Sequence, residues 1–310
     1  MSIKHRRVGC ARQSLQTQRW MVGTAHPTAT LGLILTILSL AQAQDQKAPP
    51  SAEASSSYKL VWADEFDYQG APDPNRWTYE RGFVRNQELQ WYQPENARCE
   101  NGMLIIEARR ERKQNPGYQP GGSSRRGNRE FAEYTSASVT TRGLHSWTYG
   151  RFEMRGKIDT RGGLWPAFWT LGVQGRWPMG GEIDIMEYYK GILLANVAWG
   201  GKQPGQTKWD DSKKPLTDFG DPDWSKKFHV WRMDWDDKSI KLYVDDLLLN
   251  STDLKDTVNE DQEAENPFHH PQYIILNLAI GGTSGGDPSH TEFPARFEVD
   301  YVRIYQKQAQ

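Results

Sequence analysis

Three carboxylates fall within six residues in the stretch EIDIME, Glu182 to Glu187. Acids this close can divide labour, one ionised to attack and one protonated to supply a proton. In a β-strand side chains alternate faces, so Glu182 and Asp184 share one face while Ile183 and Ile185 take the other. Strict alternation places Met186 beside the acids and drives Glu187 into the core. One extra residue absorbed in a β-bulge at Ile185-Met186 returns Glu187 to the acid face. The two glutamates then stand four strand steps apart, roughly 13 Å between Cα atoms. Convergent side chains would close this to ~5 Å, the carboxyl spacing at which one acid attacks a sugar and the other protonates the leaving oxygen. A water-activating, inverting pair needs a wider gap. Mutual repulsion raises at least one pKa in such a group, and Asp184 is placed to hydrogen-bond Glu182.

Two other readings fit the acids alone. One is the solvent face of an ordinary amphipathic strand, and the other is a hard-oxygen cation site. The flanking stretches GLWPAFWTL and RWPMGG add Trp165, Trp169 and Trp177 immediately upstream. Flat aromatic rings suit sugar faces, and Trp165 and Trp169 share strand parity. Each tryptophan taken singly reads as core; acids and tryptophans together favour a sugar groove.

The elements that must position these residues are strands. From residue 58 onward, runs such as GMLIIEARR, YGRFEMRGKI, FHVWRMDWD, QYIILNLAIGG and FEVDYVRIYQ alternate or concentrate Val, Ile, Phe, Tyr and Trp between turn residues. WDDKSIKLYVDD predicts a hairpin turning at Asp236-Asp237. Only DLKDTVNEDQEAEN offers a short helix. KQNPGYQPGGSSRRGNRE reads as a long polar loop at a cleft edge. Many short strands in one domain predict an all-β sandwich or barrel.

The chain has 310 residues. Residues 1–43 combine a basic segment, the apolar run TLGLILTILSL and Ala41-Gln42-Ala43, the pattern of a signal peptide for secretion or export to the periplasm. That run is too short to span a membrane. Residues 44–57 read as a flexible linker and 58–307 as the folded domain. With Cys10 in the leader, Cys99 has no partner for a disulfide. A net charge of −1 gives no support for a nucleic-acid partner. Twelve of the thirteen tryptophans follow the leader, an excess that predicts exposed aromatic platforms.

YGRFEMRGKIDTRGGLWPAFWTLG, WPMGGEIDIMEYY and FPARFEVDYVRIYQ together resemble glycoside hydrolase family 16, above all its laminarinase-like members, endo-β-1,3-glucanases. The resemblance covers nearly all of 58–307. It implies a concanavalin-like β-jelly roll of two curved antiparallel sheets with an open groove. It implies Glu182 as nucleophile, Glu187 as general acid/base and Asp184 as the assisting acid. The implied activity is retaining endo-hydrolysis of β-1,3 or mixed β-1,3/1,4 glucan bonds by a secreted monomer, with no cofactor in catalysis. RNQELQWY resembles a groove segment and brings in Asn86 and Glu88. DEF and VDY resemble segments that hold a structural calcium, with Glu65, the Gly102 carbonyl and Asp300 as implied ligands; a first and last strand paired without metal is the alternative.

One departure stands out. In LLANVAWGG, Ala198 occupies the place where laminarinase-like members often carry a histidine, and Trp199 that of the following groove aromatic. A galactan-directed relative of the agarase or carrageenase type is the alternative substrate reading, which groove arginines among Arg81, Arg85, Arg142 and Arg176 would favour. A transglycosylase is a further alternative. A lectin-like binding module needs the aromatic groove but not the paired glutamates.

Overall fold

The structure, a computed structural model, describes residues 58–308 apart from Arg125 and Gln262. The expected signal peptide and linker lie outside the described residues.

The alternating runs form two antiparallel sheets. The first, of eight strands, runs in spatial order Leu247–Asp253, Ser239–Val244, His229–Trp235, Gly150–Lys157, Ala295–Lys307, Met103–Ala108 and Ala97–Glu100, with Tyr58–Asp64 added along Ala295–Lys307. The second, of seven, runs Thr207–Pro215, Ile192–Gly200, Glu182–Tyr189, Leu164–Gly172, Gln272–Ile280, Ser138–Thr140 and Thr78–Tyr79. The strand of the three acids therefore lies third from one edge, between Leu164–Gly172 and Ile192–Gly200. The strand at that edge, Thr207–Pro215, carries lysines and aspartates that discourage further pairing.

The core fills the space between the sheets. Phe152, Met154, Trp231, Met233, Trp235, Val302 and Ile304 from one side and Phe168, Ile183, Ile185, Met186, Val197 and Leu276 from the other belong to one buried cluster. Removing a side chain of this size from water stabilises the fold by about 1.5–3 kcal/mol. Gln272–Ile280 is buried at all nine positions. Its second face is covered by a smaller cluster in which Trp169 and Ala167 meet Tyr273 and Ile275, which explains the continuous apolar run QYIILNLAI.

The hairpin forms as its sequence predicts, with Asp236 Oδ1 accepting from the backbone N–H groups of Lys238 and Ser239, both at 3.0 Å. The expected helix over DLKDTVNEDQEAEN does not form. Only a 3₁₀ turn, Leu254–Asp256, appears there, because Asn266 and Thr257 take the Leu254 carbonyl with their side chains and tie the segment into a loop. Cys99 is buried and free. The expected platforms are few: Trp77, Trp231 and Trp235 are fully buried, so much of the tryptophan excess is core. Among the described residues no helix is long and apolar enough to cross a membrane.

Candidate active site

Glu182–Tyr189 contains the expected bulge. On one side Glu182 pairs with Leu171, Asp184 with Trp169, Met186 with Phe168 and Glu187 with Ala167, leaving Ile185 without a counterpart. On the other side Asp184 pairs with Asn196 and Glu187 with Leu194, so Ile185 and Met186 together oppose Ala195. Both bulge residues are buried in the core, and that burial holds the local geometry that turns Glu187 outward. Gly181 sets the entrance to this strand at a φ of +75°; a Cβ there would meet Phe268 Cε1 at 2.8 Å.

All three acids line one groove of about 720 Å³. Each has a distinct partner. Trp177 Nε1 donates to Glu182 Oε2, and Trp165 Nε1 donates to Glu187 Oε1 at 2.7 Å. Asn196 Nδ2 lies 3.4 Å from Asp184 Oδ2, while Asp184 also hydrogen-bonds Glu182. Burial pushes Asp184 well above the ordinary aspartate range, reinforced by repulsion from Glu182 and Glu187. A protonated Asp184 donates to Glu182 and favours its ionised form. Burial also raises Glu182, against the Trp177 and Asp184 hydrogen bonds and the nearby Arg85 charge. Glu187 is pushed up to about 7 by burial, with the Trp165 bond opposing and Glu182 adding to the rise. A group that holds its proton near neutrality thus faces one surrounded by donors.

The other sequence-derived residues separate into those the groove gathers and those it does not. Asn86 and Glu88 line the groove. Glu88 is 3% exposed and accepts from Gln90 Nε2 at 2.8 Å. Asn86 adopts a φ of +50°, and its carbonyl accepts from Thr283 N–H at 2.9 Å. Trp165, Trp169 and Trp177 also line it. Trp199 does not. Strand alternation turns it away from Ala198 and Glu182, and it packs against the core between the sheets.

The loop over 113–130 does not contribute to the lining of this groove; Asn115, Gln119 and Arg126 border a separate cavity of about 370 Å³ beside Phe83 and Trp91.

The carboxylates of the implied calcium set each meet a guanidinium. Both oxygens of Glu65 accept from Arg303, at 2.8 and 3.0 Å, and Asp300 Oδ2 accepts from Arg155 at 2.9 Å. Guanidinium groups therefore supply the positive charge at both carboxylates. Among the described residues no cluster of three His, Cys, Asp or Glu side chains could hold a metal. The set Glu65, Gly102 and Asp300 does not fit a cation in this arrangement.

Of the four arginines named from the sequence only Arg85 lines the groove, and Asn277, Trp209 and Lys213 join it without having been anticipated. Arg85 pairs with Glu80 and lies over the Trp169 ring at 4.9 Å. Asn277 accepts from Trp169 Nε1 at 2.7 Å. Trp209 and Lys213 enter from the edge strand Thr207–Pro215. The only available signal for Trp209 was a lone aromatic in a strand of otherwise charged alternation.

Comparison with known proteins agrees with this arrangement. The family model described as Glycosyl hydrolases family 16 matches residues 87–303. A beta-glucanase of Rhodothermus marinus is 35% identical, over 96% of this chain and 98% of its own. The solved laminarinase of Rhodothermus marinus is 38% identical with a TM-score of 0.66, covering 81% of this chain and 98% of its own. A structure solved in work on endo-acting O-glycanases by which human gut bacteria initiate mucin breakdown is 34% identical, with a TM-score of 0.75, covering 82% of this chain and 92% of its own. The family model spans well over half of the chain and the Rhodothermus marinus relative matches nearly all of it: this chain belongs to glycosyl hydrolases family 16.

Proposed function

We propose that the protein hydrolyses internal β-1,3 bonds of a glucan, or mixed β-1,3/1,4 bonds, with retention of anomeric configuration. The observation that carries this reading is the pairing of Glu182 and Glu187 with residues four apart on the same neighbouring strand. That spacing, ~13 Å between Cα atoms, lets the carboxyls converge to the range of a retaining pair. Relatives named as a beta-glucanase and a laminarinase support the glucan.

In this mechanism Glu182 attacks the anomeric carbon while Glu187 gives its proton to the leaving glycosidic oxygen. The bond from carbon to leaving oxygen breaks as the bond to Glu182 forms. Glu187, now ionised, takes a proton from water, and the resulting hydroxide displaces Glu182. Asp184 positions Glu182 and favours its charge by hydrogen bonding. We take the monomer as the acting form. The leader composition supports export. No step calls for a cofactor.

A galactan-type substrate is the second reading. Arg85 in the groove wall and Ala198 in place of a larger polar residue favour it. A reducing-end assay of residues 44–310 on laminarin, mixed-linkage β-glucan, agarose, κ-carrageenan and keratan sulfate separates the readings. Cleavage of laminarin or mixed-linkage glucan supports the glucanase, and cleavage confined to the galactans overturns it in favour of the second reading.

A further inference from the structure

Four tryptophans reach the groove, and their rings are not equivalent. Trp165 meets Tyr189 edge to face with 5.3 Å between centroids, and Trp169 lies under Arg85. Both are only 7% exposed. Trp177 and Trp209 are 52% and 45% exposed, and among the described residues every other large apolar side chain so exposed is aliphatic. Among the described residues neither of these two rings stacks on an aromatic or a cation. Keeping an indole face in water forgoes roughly 25 cal/mol for each Å² left uncovered. Two such faces within one groove point to a surface that a ligand covers.

Strand register gives their placement. Glu182 pairs with Ala198, and Ala198 pairs with Trp209. Directly paired residues share a face, so Trp209 stands on the groove face two strand spacings from Glu182, roughly 10 Å between Cα atoms. Ala198 lies between them in the register and is fully buried. Trp177 binds Glu182 through its indole N–H.

We propose that Trp209 is a substrate-binding residue. With Trp177 it walls a sugar subsite at the Glu182 end of the groove. The subsite takes one β-linked pyranose of a longer chain, with the apolar C–H face of that sugar against the Trp209 indole. A glucose-configured ring, whose substituents are all equatorial, presents such a face on both sides. An axial hydroxyl leaves a galactose-configured ring with one such face, and one face is what a single indole covers. This assignment rests on reading the groove as a polysaccharide site.

The test compares wild type, Trp209→Ala and Trp209→Tyr on a laminari-oligosaccharide series and on keratan-type oligosaccharides, with kcat and KM measured separately and Tm recorded. For chains long enough to fill the subsite, Trp209→Ala should raise KM about five- to tenfold while kcat falls less than about twofold. The penalty should shrink for the shortest chains cleaved, Tyr should recover most of the affinity, and Tm should stay within about 1 °C because an exposed edge-strand ring is replaced. An active enzyme whose KM is unmoved in Trp209→Ala, or moved equally at every chain length, overturns the subsite alone. A wild type silent on both series overturns the hydrolase reading and takes the subsite with it.

Discussion

Glu182 and Glu187 are five residues apart in sequence, yet they pair with Leu171 and Ala167, which are four apart on the next strand. The difference is the bulge residue Ile185. Without it, residues an odd number apart face opposite sides of a sheet. With it, both glutamates project into the same groove while Ile185 and Met186 remain in the core. The bulge thus converts a sequence spacing unsuited to a carboxylate pair into one that suits it.

Deletion of Met186 provides the reverse test. The shortened sequence, EIDIEYY, alternates without a bulge and keeps both glutamates on the groove face. The variant loses one buried side chain, about 2–5 kcal/mol of stability, but should retain activity well above that of Glu187→Gln. Rates on laminarin as low as those of Glu187→Gln, in a folded protein by circular dichroism, would show that the bulge does more than restore parity.

Trp165 controls the acid. Its N–H bonds Glu187 at 2.7 Å and favours the ionised form. Loss of that donor in Trp165→Phe should raise the Glu187 pKa further above about 7. The alkaline limb of the kcat/KM profile then moves to higher pH, while kcat falls as the carboxyl loses its orientation. An alkaline limb that moves down would contradict the assignment of Glu187 as the proton donor.

Raised carboxyl pKa values also cost stability at neutral pH. The folded chain holds the Glu187 proton up to about 7, whereas an ordinary glutamate releases it near 4.5. Within that window the folded state binds more protons than the unfolded one, so stability falls as pH rises through it. Glu187→Gln removes the penalty. Its Tm should exceed that of wild type at pH 8 by several degrees, from a gain on the order of 1–3 kcal/mol, and the gain should largely vanish near pH 4.5. Equal Tm values at pH 8 would show that burial does not perturb this acid.

What could be read from the sequence was local. The alternation of EIDIME leaves Glu187 out of step unless a bulge intervenes, and the apolar run QYIILNLAI is legible as a strand, though not as one covered on both faces. What escaped depended on partners distant in sequence. Trp199 satisfied a motif position, but only its strand's register with Glu182 and Thr207–Pro215 shows that it faces the core and that Trp209 supplies the groove aromatic. Glu65 and Asp300 read as hard cation ligands until Arg303 and Arg155 approached them, from the last strand and from Gly150–Lys157 respectively. Arg85 could be noted as basic, but not as the cover of Trp169.

The central claim is that Glu182 and Glu187 act as a retaining pair. Proton NMR of a laminari-oligosaccharide digest, recorded faster than the product mutarotates, reads the anomer first released. With retention the β-anomer signal rises first and the α-anomer follows only by mutarotation. An α-anomer appearing first would mean inversion at the anomeric carbon, and with it a water between the two carboxyls where this account places a covalent bond to Glu182.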